Sequence, residues 1–386
     1  MKTERIFEAD VSCQEFTAAV LSCSPRKKGG YEVALDRTAF FPEGGGQPGD
    51  RGTLGGGTVT DTHEREGVIL HYTDQPLEVG VSVTGTLDWA FRFDNMQNHS
   101  GEHLLTGVIH KKTGCNNVGF HMGTDTITVD LDVEITPEEL TEYEVEANRV
   151  VWQDIPCRAW YPEPAELAAL EYRSKKALEG PVRLVSFPGA DLCACCGTHV
   201  TSSGQVGLIK LISVQKFRGG SRIEMLSGRR ALAYIHAIEA QNHAVSVALS
   251  AKPMETAQAV ERLKEENARL TYRTVALETE AFARIAAACA GEGNVVRFED
   301  GLTPDGVRKL AVAIMEQCEG VAAVFSGDDA HGYKYALGQT GGDLRALVKE
   351  LNKALSGRGG GKPFFAQGSV AARREEIEAF LAARLG

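Results

Sequence analysis

Short runs in which β-branched or aromatic residues alternate with polar ones fill the first 90 residues. Segments 31–35, 58–62, 67–72 and 81–87 have this form, and Gly or Pro turns separate them. Several short strands with Gly-rich turns predict a small β-barrel over 1–90. From 91 to 225 the pattern is mixed. Asp94, with Gln97 three residues on, predicts a capping-box helix start. That helix runs through His99, His103, Leu104, Leu105, Val108 and Ile109 and stops near Gly114. Strands are predicted around 126–131, 181–185, 206–214 and 222–225, and Pro137 opens another helix at its first position. Residues 228–290 are helical throughout, and Pro253 breaks them into two, an antiparallel hairpin by default. The second helix carries a rough heptad: Val260, Asn267, Thr274 and Ala281 on one seam position, Leu263, Leu270 and Leu277 on the other. Residues 291–386 read as α/β, with strand or helix candidates at 295–298, 309–314, 321–325 and 333–337. An amphipathic helix over 343–355, a loop over 357–363 and a final helix over 371–384 complete them. The pattern therefore divides the chain into a β-barrel (1–90), a mixed α+β domain (91–225), a helical linker (226–290) and a C-terminal domain (291–386).

Composition adds bounds. The 386 residues are 43% hydrophobic and 24% charged, as expected of a soluble globular protein. Residues 1–30 lack the pattern of a secretory signal, and no apolar run approaches the roughly 18 residues of a membrane span. A cytoplasmic protein with no membrane partner is the expectation. The nine cysteines are odd in number, and three crowd into 193–196, which argues for reduced thiols and metal binding rather than a disulfide framework. A net charge of −11 excludes non-specific nucleic-acid binding by bulk charge, since phosphate affinity comes from Lys and Arg. The tail differs: from Gly341 on, eight Lys or Arg face five Asp or Glu, a local +3.

The candidate chemistry lies in two pairs of metal-type ligands, each with a three-residue gap. His99 and His103 stand i, i+4 on a predicted helix, which stacks two imidazoles on one face. Cys195 and His199 stand in a short turn. Three imidazoles and a thiolate suit one zinc ion, which takes nitrogen and sulfur ligands together. Cys195 is preferred for its spacing, with Cys193 and Cys196 in reserve. Four protein ligands describe a closed shell, whereas catalytic zinc keeps a position open. The sequence leaves open whether the metal activates water, orients substrate or is structural. His99-x-x-Glu102-His103 also matches the inverted zinc-peptidase signature, a reading that needs a further carboxylate ligand and gives Cys195 and His199 no task. The segment 40–50 holds Gly44, Gly45 and Gly46, which permit close backbone approach to a ligand, followed by Gln47, whose amide suits substrate contact. Arg358 and Lys362 flank three glycines and suit phosphate binding.

Taken together these residues resemble the free-standing alanyl-tRNA editing proteins of the AlaX type, in the long form that carries the C-terminal domain of alanyl-tRNA synthetase. Leu35–Thr38 with Glu43–Asp50 resembles the family's Gly-rich motif, and Met96–Leu105 and Cys195–Val200 resemble its two zinc motifs. Arg222-Ile-Glu224 resembles a signature that follows, and 357–368 resembles the synthetase's C-terminal domain, also found on DHH phosphoesterases. Two positions depart: Cys196 stands where the motif usually has Gly, and Glu102 where it more often has an uncharged residue. The resemblance implies a small β-barrel, a two-layer α+β editing domain, a helical hairpin and a C-terminal domain that makes a homodimer and contacts tRNA. It implies hydrolysis of the ester joining serine or glycine to tRNA(Ala), with zinc at His99, His103, Cys195 and His199. Thr38 and Gln47 are then the candidates for sensing the serine hydroxyl, and Gly44, Gly45, Gly46, Arg222, Arg358 and Lys362 for binding substrate. The rival class is a non-enzymatic, zinc-stabilised tRNA-binding protein.

Overall fold

The structure, a computed structural model, describes residues 2–174 and 180–386. The architecture is multidomain α+β with mixed sheets, and the chain forms two compact units, 1–244 and 245–386.

In the first unit, six strands pair in a closed cycle: Glu15–Pro25, Tyr31–Leu35, Val68–Thr73, Gly57–Arg65, Gly52–Leu54 and Ser82–Leu87, which returns to Glu15–Pro25. Alternate residues point inward, so Phe16, Val20, Val33, Leu35, Leu54, Val59 and Val83 form one buried cluster around Phe40. Two of the six strands escape a reading of periodicity. Glu15–Pro25 puts Ala and Ser among its β-branched residues, and Gly52–Leu54 is three residues long. Inside the barrel, His71 is fully buried. Its Nε2 lies 2.8 Å from Thr38 Oγ1, its Nδ1 lies 3.1 Å from the Val33 carbonyl, and its ring sits edge-on to Phe40.

The helix Trp89–Thr113 follows directly. It begins six residues before the predicted start. Asp88, not Asp94, is the N-cap and accepts from Phe91 N, while Asp94 pairs with Arg229 inside the fold. Asp94 has the stronger local signal, since Gln97 stands three residues on where Asp88 has Phe91. The choice falls on Asp88 because Trp89 and Phe93 pack against the core as the helix's first turn. Gly114 ends the helix in the left-handed conformation. From Asp94 to Ile109 every residue is buried. One side meets the antiparallel sheet Ile209–Phe217, Gly220–Ser227, Ile127–Leu131, Asn117–Met122. The helix Pro137–Trp152, capped by a Thr136/Glu139 box, and the three-stranded sheet Arg158–Trp160, Leu184–Phe187, Asp191–Ala194 complete the enclosure.

Barrel and helix are fastened by a buried ion pair. Arg92 on the helix donates through Nε and Nη2 to Asp50 Oδ2, and Nη2 also reaches the Ala39 carbonyl. Asp50 accepts in addition from Phe41 N, so the pair fixes both ends of the Gly-rich segment. Removing either partner leaves a buried charge uncompensated, which costs several kcal/mol, roughly 3–5.

In the second unit, a five-stranded sheet runs in the order Val295–Phe298, Ala322–Asp328, Gly332–Gly338, Phe365–Val370, Arg358–Lys362. Helices Pro304–Met315, Arg345–Ala354 and Arg374–Leu385 accompany it. The 309–314 run, open between strand and helix, is helical. One expectation is corrected: within the predicted loop 357–363, Arg358–Lys362 is an edge strand paired with Phe365–Val370. Three consecutive glycines hide strand propensity, and the register comes from backbone pairing across the sheet. Helices Gly228–Ala248 and Thr256–Ala288 are joined through a 3-10 turn at Pro253–Glu255. Leu263, Leu270 and Leu277 on the heptad seam are 50–57% exposed.

Complete burial, only partly offset by the Val33 carbonyl, pushes the His71 imidazole down from 6.5 to about 4. Between these values the unfolded chain binds a proton that the barrel refuses, so acidification favours unfolding. Stability should fall as pH drops from 6.5 to 4, by about 3 kcal/mol from this residue in the limit. Denaturant titrations across that range should show the loss, and His71→Gln should flatten it.

Candidate metal centre

Helix Trp89–Thr113 holds His99 and His103 one turn apart, with ring centroids separated by 5.3 Å. Strand Asp191–Ala194 delivers the chain to Cys195, and the turn that follows returns His199 to the same place. The His199 ring lies 4.5 Å from each of the other two. Cys195 Sγ is 3.5 Å from His99 Nε2 and 3.4 Å from His199 Nε2. One ligand atom from each of the four residues lies within 4.8 Å of the others. A tetrahedral zinc with bonds of about 2.0–2.3 Å spaces its corners roughly 3.3–3.8 Å apart. The cluster therefore has the size and donor set of a zinc site. His103 Nε2 is buried without a hydrogen-bond partner, the state of a nitrogen reserved for a metal.

Each imidazole is oriented through its other nitrogen. His99 Nδ1 lies 3.0 Å from Gln47 Oε1, His103 Nδ1 2.9 Å from Asp191 Oδ2, and His199 Nδ1 3.1 Å from Ser100 Oγ. Gln47 Oε1 and the Asp191 carboxylate accept, so Nδ1 carries the proton and Nε2 offers its lone pair inward. Asp191 is itself held: its Oδ1 accepts from Arg173 Nε at 2.8 Å, and Arg173 Nη2 donates to Thr106 Oγ1. Burial works against ionisation of Asp191, yet His103 and Arg173 keep its carboxyl below the usual range.

The same field selects the thiol. Burial opposes ionisation of Cys195, but the charges of the neighbouring imidazoles His99 and His199, the adjoining His103 and the hydrogen bond with His199 hold it well below an ordinary thiol. Burial pushes Cys193 up to about 12, and Cys196 is exposed with its thiol raised as well. In the free centre, burial opposes the His103 charge, but Asp191 and Cys195 raise it to about 9. Burial and the neighbouring imidazoles drive His199 down to about 3. A divalent ion would displace the His103 proton.

The Gly-rich segment lies against this centre. Gly46, at φ +85°, packs so closely on Phe120 that a Cβ would come within 2.6 Å of the ring, and Phe120 in turn stacks on His99. Gly197 allows the Cys195 turn to close over His99, where a Cβ would sit 2.2 Å from Cε1. Gly45 faces the Cys196 thiol, and Gly44 bridges to Gln47 through a backbone pair. Gln47 itself is fully buried. Its Oε1 accepts from His99 and from Thr198 N, and its Nε2 donates to Thr198 Oγ1. The amide read from sequence as a substrate contact orients a ligand and the second motif instead. Glu102, also buried, accepts from Thr106 and Asn117, and its Oε2 stands 4.0 Å from His103 Nε2.

Two other candidates in the first unit, Thr38 and Arg222, are not among the ligands of the cluster. Thr38 is in the barrel, bonded to His71 and Phe40 N. Arg222 spends its guanidinium on Asp130 at 2.6 and 2.8 Å and lies over the Phe217 ring. Arg358 and Lys362 bound the exposed edge strand of the second unit. Lys362 and Gly359–Gly361 line, with Arg345 and Lys349, a cavity of about 320 Å³. Sequence reasoning missed Asp191, Ser100, Arg173 and Phe120. Asp191, four residues before Cys195, is the one a search for an acidic partner to the ligand histidines would have found.

Asp191→Asn should weaken zinc binding by roughly 10–100-fold, because the carboxylate raises the basicity of His103. Cys195→Ala should remove stoichiometric zinc. Competition with a chromophoric chelator measures both; wild-type affinity in Asp191→Asn would refute the orienting role.

Three family models match. The threonyl and alanyl tRNA synthetase second additional domain covers residues 182–225, the class II (A) tRNA synthetase model covers 8–91, and the DHHA1 domain covers 285–384. The alanyl-tRNA editing protein AlaX-L of Pyrococcus horikoshii is 29% identical over 97% of this chain and 96% of its own. The mouse alanyl-tRNA editing protein Aarsd1 is 28% identical over 97% and 96%. An alanine–tRNA ligase of Halorubrum lacusprofundi is 32% identical over 95% of this chain, which spans 42% of the ligase. The end-to-end match to the editing proteins, with three domain models placed on the barrel, the second metal motif and the C-terminal unit, carries the conclusion: this chain is similar over nearly its whole length to the AlaX-type alanyl-tRNA editing proteins, in their long form.

Proposed function

We propose that this protein hydrolyses the ester joining serine or glycine to the 3′ end of tRNA(Ala), acting in trans on tRNA charged elsewhere. The observation that carries the reading is the His99, His103, Cys195, His199 cluster set against the Gly44–Gln47 loop, in a chain matched over its whole length by alanyl-tRNA editing proteins. Zinc held there would supply a positive charge to position the terminal adenosine or polarise the groups that react. The chain's own residues do the rest. Asp191, Gln47 and Ser100 fix the three imidazoles, and the glycines keep the approach free of side chains. Water attacks the ester carbonyl, the bond to the ribose oxygen breaks, and the free amino acid and the tRNA hydroxyl leave. No Ser/His/Asp or Cys/His nucleophile is needed.

The need for such a site follows from physics. A pocket for alanine rejects the added hydroxyl of serine by only about a hundredfold. A second site that hydrogen-bonds the hydroxyl refuses alanine strongly, because its own polar groups would be left unpaired. Thr38 and Gln47 act on this choice through the loop they fix, one at each end. The peptidase reading loses ground, since Cys195 and His199 fill the places a carboxylate ligand and water would take. A purely structural zinc would not call for three consecutive glycines beside it.

The reading extends to the rest of the chain. The barrel, the editing domain (91–225), the hairpin and the C-terminal domain act as four parts, the last pairing two copies and contacting tRNA through Arg358 and Lys362. Arg222 supports the substrate through the sheet, and the setting is the cytoplasm. No helix among the described residues is long and apolar enough to cross a membrane.

Deacylation assays on seryl- and alanyl-tRNA(Ala) test the core of this. The wild type should clear the seryl form selectively, and His99→Ala should lose at least a hundredfold in rate. Full activity of a zinc-free variant would sink the zinc-dependent version. Thr38→Val should lower the seryl-to-alanyl preference several-fold; an unchanged ratio removes Thr38 from discrimination. Replacing Arg358 and Lys362 together by Glu should weaken tRNA binding and flatten its salt dependence, with a log–log slope smaller by about two.

A further inference from the structure

We propose that Tyr161, beside Arg183 at the rim of the metal centre, is a stacking platform for an unpaired nucleobase of an RNA 3′ end. This deepens, and rests on, the editing function proposed above. Arg183 lies across the outside of the Cys195 turn. Its Nη1 donates to the Cys195 carbonyl at 3.0 Å and to the Gly197 carbonyl at 2.9 Å. The exposed Cys196 sits between those two residues, its thiol facing Gly45. Strand Arg158–Trp160 pairs antiparallel with Leu184–Phe187, and Trp160 is the partner of Leu184. Tyr161 therefore emerges at the strand end that carries Arg183.

The ring has the properties a platform needs. It is 48% exposed, the value of a surface aromatic rather than a core one. Its hydroxyl is shared between both oxygens of Glu8 at 3.2 Å, and Glu8 is held by Arg5, which also binds Glu64. The far edge of the ring is thus anchored to the barrel while nearly half of the residue stays open to solvent, so little rotamer freedom remains to be lost on binding. The charges of Arg183 and Arg5 both act on Tyr161 and on Cys196, which places the four side chains in one neighbourhood. Arg5 is neutralised by its two glutamates. Among the described residues no carboxylate pairs with Arg183, so its cation is available to an anion. A ring beside a free guanidinium complements a base beside a phosphate, the repeating unit of single-stranded nucleic acid. A peptide offers no such regular pairing.

The test uses the full-length zinc protein and two RNA hairpins, one with an unpaired 3′ end and one blunt. Tyr161→Ala should weaken binding of the overhanging hairpin roughly tenfold or more and leave the blunt one unchanged. Tyr161→Phe keeps the ring and loses only the Glu8 contact, so it should stay within about twofold of wild type. In deacylation, Tyr161→Ala should raise KM far more than it lowers kcat, with zinc content unaltered. Equal affinity of Tyr161→Ala and wild type for the overhang, or no binding by wild type, overturns the proposal, and so does an equal loss in Tyr161→Phe. The two readings fail separately. Wild type that deacylates while Tyr161→Ala is silent keeps the enzyme and rejects the platform. Tyr161-dependent binding without deacylation keeps the platform and rejects the editing function.

Discussion

The arrangement depends on one constraint: three imidazoles can point their Nε2 atoms at a common thiolate only if each is gripped at Nδ1. The grips come from three different places. Gln47 belongs to the Gly-rich segment, Ser100 to the ligand helix and Asp191 to the strand before the cysteine turn. Barrel, helix and sheet must all be in register before the fourth corner exists. The Arg92–Asp50 pair serves the same end from the other side, since it locks the segment carrying Gln47 to the helix carrying His99 and His103. Buried ion pairs often add little net stability, but they penalise wrong arrangements heavily. Here the penalised arrangement would be a barrel docked out of register with the metal helix.

The grips are also chemically unequal. A carboxylate, an amide and a hydroxyl donate decreasing electron density to their imidazoles. His103, backed by Asp191 and through it Arg173 and Thr106, is more basic than His199. The thiolate at Cys195 is favoured by its imidazole neighbours, whereas burial leaves Cys193 protonated. The centre thus prepares one anionic sulfur among three nitrogens, which is the zinc preference. Glu102 adds a second buried carboxylate near His103, its Oε1 held by Asn117 and Thr106 and its Oε2 4.0 Å from His103 Nε2.

Glycine shapes the approach in a way no side chain could. Gly46 and Gly197 each leave room that a Cβ would fill, one against Phe120 and one against His99. The result is a backbone-walled face next to the metal position. Tyr161 and Arg183 stand at its rim, and the exposed Cys196 lies where relatives of this kind are expected to carry Gly.

Much of this was legible in the residues alone. The i, i+4 histidines and the three-residue gap from Cys195 to His199 are local facts, and helix geometry or a short turn turns spacing into proximity. The Pro137 helix start and the alternating strands of the barrel are local too. What sequence could not decide was competition between local signals. Asp94 is locally the better cap for its Gln97, yet packing of Trp89 and Phe93 places the start at Asp88. Arg358–Lys362 looks like a loop until a neighbouring strand supplies its hydrogen bonds. Gln47 and Thr38 look like free polar groups until the fold spends them on His99 and His71. Local spacing determined which ligands exist, because neighbours along the chain share one geometry wherever the chain goes. Only the tertiary structure decided which polar groups remain available, because a hydrogen bond between residues 52, 88 or 99 positions apart depends on the whole path between them.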